Sequence, residues 1–218
     1  MQLNANLNER AQVDSTKLDW IPSPLKGVTR RMLERDGDEV ARATTIVRYA
    51  PESYFDGHLH ELGEEYFVLE GVFSDEHGDF GPGFYVRNPP GSRHRPHSDK
   101  GCTILVKLRQ MDPEDRTQVA IDTSKADFAP TSTKGISRLL LHKDAREEVT
   151  LLRFDAGAVG PFHAHTGGEE IFVLEGSLTD GDGTYNKGTW LRLPHATMHA
   201  LSSASGALIY QKTGHLPR

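Results

Sequence analysis

Apolar residues along this chain fall into short runs without helical spacing: TTIVRY (residues 44–49), EYFVLEG (65–71), GFYVRN (83–88) and CTILVKL (102–108), and later VTLLRF (149–154), EIFVLEG (170–176), GTWLRL (188–193) and GALIYQK (206–212). The runs are rich in β-branched and aromatic side chains, which suit a pleated, half-buried surface. Turn-forming clusters separate them, among them SDEHGDFGPG (74–83) and TDGDGTYNKG (179–188). Many short strands between turn signals predict an all-β sandwich or barrel. Short helices are expected only near residues 4–16 and 113–119.

The pattern is written twice. His58, Gly83, Arg87, Pro89, His94, Ser98, Gly101 and Lys107 each recur 105 residues later, as His163, Gly188, Arg192, Pro194, His199, Ser203, Gly206 and Lys212. Upstream, WIPSPLKG (20–27) matches FAPTSTKG (128–135) at an offset of 108, so three residues are lost in between. A repeat this long marks two copies of one structural unit. The expected organisation is an N-terminal extension over 1–19, unit 1 over 20–110, a linker over 111–125 and unit 2 over 126–218.

Candidate chemistry sits at the same place in both copies, in HLHELGEE (58–65) and HAHTGGEE (163–170). Side chains alternate faces along a strand, so His58 and His60 point the same way, as do His163 and His165. Glu64 and Glu169 share the histidines' parity and are the expected fourth-position carboxylates. Glu65 and Glu170 have the other parity and read as surface or supporting groups. A later strand returns His94 in unit 1 and His199 in unit 2. Three imidazoles and one carboxylate suit a divalent transition metal, zinc, iron, manganese, nickel or copper, with zinc or iron foremost; calcium prefers oxygen donors throughout. A histidine on a strand is ordinarily a packed or surface residue, but four ligand-type residues repeated at identical spacing favour metal sites. His77, His142, His195 and His215 lack a counterpart and are expected at the surface.

These spacings resemble the two motifs of the cupin superfamily, G(x)5HxH(x)3E(x)6G and G(x)5PxG(x)2H. Gly157, His163, His165, Glu169 and Gly176 fit the first in full; His58, His60, Glu64 and Gly71 fit it with Glu52 in place of the opening glycine. Gly83, Pro89, Gly91 and His94 fit the second; Gly188, Pro194 and His199 fit it with Ala196 replacing a glycine. The resemblance implies two tandem double-stranded β-helix (jelly-roll) units, a bicupin, with metal inside each. Longer stretches such as GEEYFVLEGVFSDEHGDFGPG are similar to the ChrR-like cupins, named after the metal-binding half of ChrR-type anti-sigma factors. In those regulators a helical zinc module with an HxxxCxxC pattern binds the sigma factor. The first twenty residues here contain neither cysteine nor histidine, so sigma binding is not expected to carry over.

The remaining composition narrows the function by exclusion. The formal net charge of -6, from 31 acidic and 25 basic side chains scattered along the chain, argues against a nucleic-acid or membrane partner. No run approaches the length of a spanning helix. The lone Cys102, in an apolar run, reads as a buried inert thiol, and with no secretory leader in evidence the cytoplasm is the expected compartment. A homodimer is compatible with the sequence. Two functions stay open: a metal-dependent dioxygenase or related enzyme on a small oxygenated molecule, and a ChrR-like metal-binding sensor or anti-sigma-type regulator. Tyr85 and Trp190 are candidate supporting groups. Arg87 and Arg192 read either as carboxylate clamps or, more in keeping with their strands, as surface partners of Glu70, Glu175, Asp75 or Asp180; Arg48 and Arg153 raise the same choice.

Overall fold

The computed structural model describes residues 1–218. The regular structure of the chain is nearly all strand, and the chain divides into two compact units, one of 1–5 and 18–125, the other of 6–17 and 126–218.

In unit 1 the long strands Val28–Gly37, Ala41–Tyr49, Cys102–Leu108, Glu64–Gly71 and Phe84–Asn88 pair antiparallel in that order. A smaller sheet of Gly78–Phe80, Phe73–Asp75, His97–Ser98 and Ser53–Tyr54 and a two-stranded ribbon, His58–Leu59 with Arg93–His94, complete it. Alternate residues of the large sheet, Val47, Tyr66, Val68, Val86, Ile104 and Val106, pack with Phe73 and Phe80 of the smaller one in a single core. Unit 2 repeats the plan with Ile136–Lys143, Glu148–Phe154, Ala207–Thr213, Glu169–Thr179 and Thr189–Leu193. Its core is built on Phe154, Ile171, Val173, Leu178, Leu191 and Ile209.

The segments expected as an extension and a linker are structural. Ala11–Asp14 pairs with Thr189–Leu193 in unit 2, and Val119–Asp122 pairs with Phe84–Asn88 in unit 1. The helices expected over 4–16 and 113–119 do not form; single 3-10 turns, Ser15–Lys17 and Thr123–Lys125, follow the two strands instead. Each strand offers its amides to a sheet edge whose own groups would otherwise lack partners, a gain that outweighs weak local helix propensity. Each turn is then pinned in the same way. Ser15 Oγ donates to Gly188 O at 2.6 Å, and Thr123 Oγ1 donates to Gly83 O at 2.6 Å.

The two motif positions that lack a glycine keep the glycine conformation. Gly157 has φ 81° and its counterpart Glu52 has φ 58°; Gly91 has φ 86° and its counterpart Ala196 has φ 60°. No helix in the chain is long and apolar enough to cross a membrane.

Candidate metal centres

The ribbon of unit 1 places His94 directly opposite His58. His60 follows at the ribbon's end, and Glu64 opens the next strand on the same interior face as Tyr66 and Val68. One potential ligand atom from each of His58, His60, Glu64 and His94 lies within 4.8 Å of all the others. Glu64 Oε2 is 3.5 Å from His60 Nε2 and 3.6 Å from His94 Nε2. The outer ring nitrogens are tied down: His60 Nδ1 lies 3.0 Å from Ser92 Oγ, His94 Nδ1 3.0 Å from Asp75 Oδ2 and His58 Nδ1 3.3 Å from Asp56 O. Asn88 Nδ2 donates to Glu64 Oε2 at 3.1 Å. With Nδ1 fixed from behind, the inner nitrogens face one another. Nε2 of His60 and of His94 are buried without any hydrogen-bond partner. Buried polar atoms are rarely left so, and a bound cation would satisfy both.

Electrostatics follow from this enclosure. Burial pushes His60 below its ordinary pKa, favouring the neutral ligand form. Burial acts on His94 in the same direction, but the Asp75 bond and Glu64 outweigh it and raise the ring. A cavity of about 540 Å³ opens onto His58, His60 and Glu64; Val47, Tyr49, Phe55, Leu59, Val106 and Leu108 are among its walls.

Unit 2 brings the corresponding residues together less evenly. His163 and His199 exchange two backbone hydrogen bonds of 2.9 Å, and the three imidazoles of His163, His165 and His199 form a cluster within 4.8 Å. Glu169 stands beside it, with Oε2 2.9 Å from His199 Nε2 and 3.8 Å from His165 Nε2. The shorter approach is not aligned as a hydrogen bond, and both atoms are buried without one. Gln211, from a different strand than Asn88, donates to Glu169 Oε1.

The opposite face of the same strands holds the residues whose roles differ from expectation. Glu65 and Glu170 are not at the surface; each is 2% exposed. Tyr85 OH donates to Glu65 Oε2 at 2.9 Å and Trp190 Nε1 to Glu170 Oε2 at 3.3 Å, so neither ring supports a metal cluster. Arg87 bonds Glu65 (3.2 Å) and Asp115 (2.6 Å), and Arg192 bonds the carbonyls of Asn6 and Glu9. Both arginines are buried, directly across from Glu65 and Glu170, so they neither clamp a substrate nor pair with surface carboxylates. Arg48 and Arg153 lie over the rings of Trp20 (3.8 Å) and Phe128 (4.0 Å). His77 and His195 are exposed as expected, but His142 is buried beside Asp144, and the His215 ring is buried with Nε2 3.2 Å from Glu170 Oε1. Cys102 is buried, and burial raises its thiol to about 11. Sequence reasoning missed Asp75, Asn88, Ser92 and Gln211 as partners of the candidate ligands. Only Asp75 carried a signal, through its repeat at Asp180.

The model of the ChrR Cupin-like domain matches residues 8–112 and again 116–217. The chain belongs to this cupin family. Its two matches begin 108 residues apart, the offset that the arms 11–14 and 119–122 share. No curated protein sequence matches the chain. Among solved structures, a candidate dioxygenase of Nostoc punctiforme is similar with a TM-score of 0.75 over 100% of this chain and 84% of its own, at 18% identity. Protein Ylba of E. coli gives 0.74 over 98% and 94%, at 15% identity. Oxalate decarboxylase of Bacillus subtilis gives 0.64 over 95% and 78%, at 12% identity. The likeness to these structures is one of fold; the two family matches make this chain a bicupin.

Proposed function

We propose that this bicupin is a metal-dependent enzyme whose unit 1 centre converts a small, largely apolar molecule bearing adjacent oxygens, such as a diketone or hydroxy-ketone. His58, His60, Glu64 and His94 would hold the ion there, and His163, His165, Glu169 and His199 a second one in unit 2. The observation that carries the reading is the opening of an apolar cavity of about 540 Å³ onto the unit 1 donors. A purely structural ion has no use for such access. When bound, the metal supplies Lewis-acid polarisation of a substrate oxygen and, as iron(II), redox chemistry with dioxygen.

The chain's own residues supply selection and orientation. Tyr49 and Phe55 present aromatic wall to the cavity, their rings 5.3 Å apart and edge to face. Arg109 is the only lysine or arginine in the lining, and it is bound to Glu61 at 2.6 Å. A dianionic substrate would thus lack a free cationic partner beyond the metal, which favours a neutral molecule anchored by its oxygenated end. The likeness to the Nostoc candidate dioxygenase supports oxygen chemistry, and the Mn(II) centres of the oxalate decarboxylase support manganese beside iron. Membership of the ChrR Cupin-like family favours the alternative, a ChrR-like metal-binding regulator.

Elemental analysis of protein purified without added metal, then oxygen uptake by iron(II)-loaded protein over diketones, hydroxy-ketones and phenolic acids, tests the proposal. Turnover on the neutral substrates supports it. Silence across the panel together with stable capture of a sigma factor would overturn it in favour of a regulator.

A further inference from the structure

The two donor sets differ in what stands behind them, and one exchange of residues accompanies the difference. In unit 1 Asp75 Oδ2 is 3.0 Å from His94 Nδ1, so the carboxylate fixes the ring with its Nε2 turned inward. The counterpart of Asp75, 105 residues on, is Asp180, and that of His94 is His199. No equivalent bond forms: His199 Nδ1 is buried without a partner. Asp180 is held by other donors through Oδ1, which accepts from Tyr185 OH at 2.6 Å and from the amides of Asp182 (2.8 Å) and Gly183 (3.1 Å), while its Oδ2 is buried without a partner and does not reach the His199 ring. Arg10 Nη2 lies 2.8 Å from the same hydroxyl and holds it in place. In unit 1 the position of Tyr185 is Phe80, which has no hydroxyl to orient Asp75; there Oδ1 accepts the His77 amide at 2.7 Å and Oδ2 faces His94.

The amide on the carboxylate does not separate the units: Leu193 replaces Asn88 in unit 2, but Gln211 donates to Glu169 Oε1 in its stead. The inner nitrogens do separate them. His163 Nε2 and His165 Nε2 lie 2.9 Å apart and satisfy each other, whereas the inner nitrogens of His60 and His94 remain without partners.

We propose that Asp75 is a positioning residue that makes unit 1 the tight metal centre, while unit 2, whose Asp180 is diverted to Tyr185, binds at least ten-fold more weakly. This rests on the reading that both donor sets are metal centres. The factor follows from the 10–100-fold in affinity that an outer partner of a ligating histidine commonly contributes.

The test titrates the metal-depleted full chain with cobalt(II), following the visible spectrum in competition with a chelator of known affinity. Two steps at least ten-fold apart are expected, with His94→Ala removing the tighter and His199→Ala the weaker. Asp75→Asn should weaken the tight step 10–100-fold and leave the weak step where it was; Asp180→Asn should move neither. Equal steps in the wild-type chain, a tight step lost with His199→Ala, or equal losses from the two aspartate variants would overturn the inference. If Asp75→Asn does not fold, the wild-type steps and their assignment by the histidine variants still decide it. Absence of both steps would instead refute the metal centres themselves, and with them the proposed function.

Discussion

Glu64 and Glu65 are neighbours in sequence and serve opposite faces of one strand: Glu64 Oε2 lies 3.6 Å from His94 Nε2, and Glu65 Oε2 lies 3.2 Å from Arg87 Nη1. Removing one charge or the other should therefore separate metal binding from folding. Glu64→Gln is expected to reduce the metal affinity of unit 1 at least ten-fold with little loss of stability. Glu65→Gln is expected to leave affinity within about two-fold while costing stability, because it leaves a buried guanidinium with one carboxylate fewer. Competition titration and urea unfolding of both variants check this, and a reversed pattern would place the metal on the wrong face.

Ala196 holds φ 60°, a left-handed conformation that costs an L-residue about 1–2 kcal/mol. Ala196→Gly should raise stability by about 1 kcal/mol, a gain reduced by the extra freedom glycine brings to the unfolded chain. Urea midpoints read it directly, and a destabilised variant would contradict it.

Asp115 should make stability depend on acid in a defined direction. Burial alone would raise its pKa, but the Thr117 amide and the Arg87 guanidinium outweigh burial and hold the carboxyl below its ordinary value. A carboxyl with a lowered folded pKa stabilises the fold above its unfolded pKa, about 3.9, and that stabilisation disappears as pH falls through the folded value. Asp115→Asn should accordingly be less stable than wild type at pH 7, and the gap should narrow below about pH 4. Unfolding curves over a pH series check it; a gap that widened in acid would contradict the assignment.

Cys102 should resist alkylation. The thiol is buried and its pKa is raised to about 11, so almost no thiolate is present at pH 8. Iodoacetamide followed by mass spectrometry should modify it only after denaturant is added; rapid labelling of the native chain would show the strand around it to be open.

The sequence alone determined the all-β class, the twofold repeat and the eight candidate ligands, because these depend on local rules. Spacing alone groups His58, His60 and Glu64, and a second copy at the same spacing makes chance an inadequate explanation; that Glu64 meets the histidines from a separate strand, beyond a turn, was the fold's doing. Where the chain departs from its own motif, at Glu52 and Ala196, the sequence showed the departure, but only the backbone showed that the left-handed turn persists there. Tertiary structure decided everything that depends on partners distant in the chain. The arms Ala11–Asp14 and Val119–Asp122 have too little local preference to declare themselves strands and become so by meeting open sheet edges. Arg87 finds Asp115 twenty-eight positions away instead of the surface carboxylates that its strand suggested. The difference between Asp75 and Asp180 was likewise hidden, since the two aspartates are identical by sequence. A carboxylate bonds the donors that the fold brings within reach: for Asp75 the ring of His94, nineteen positions away, and for Asp180 a tyrosine hydroxyl of its own hairpin.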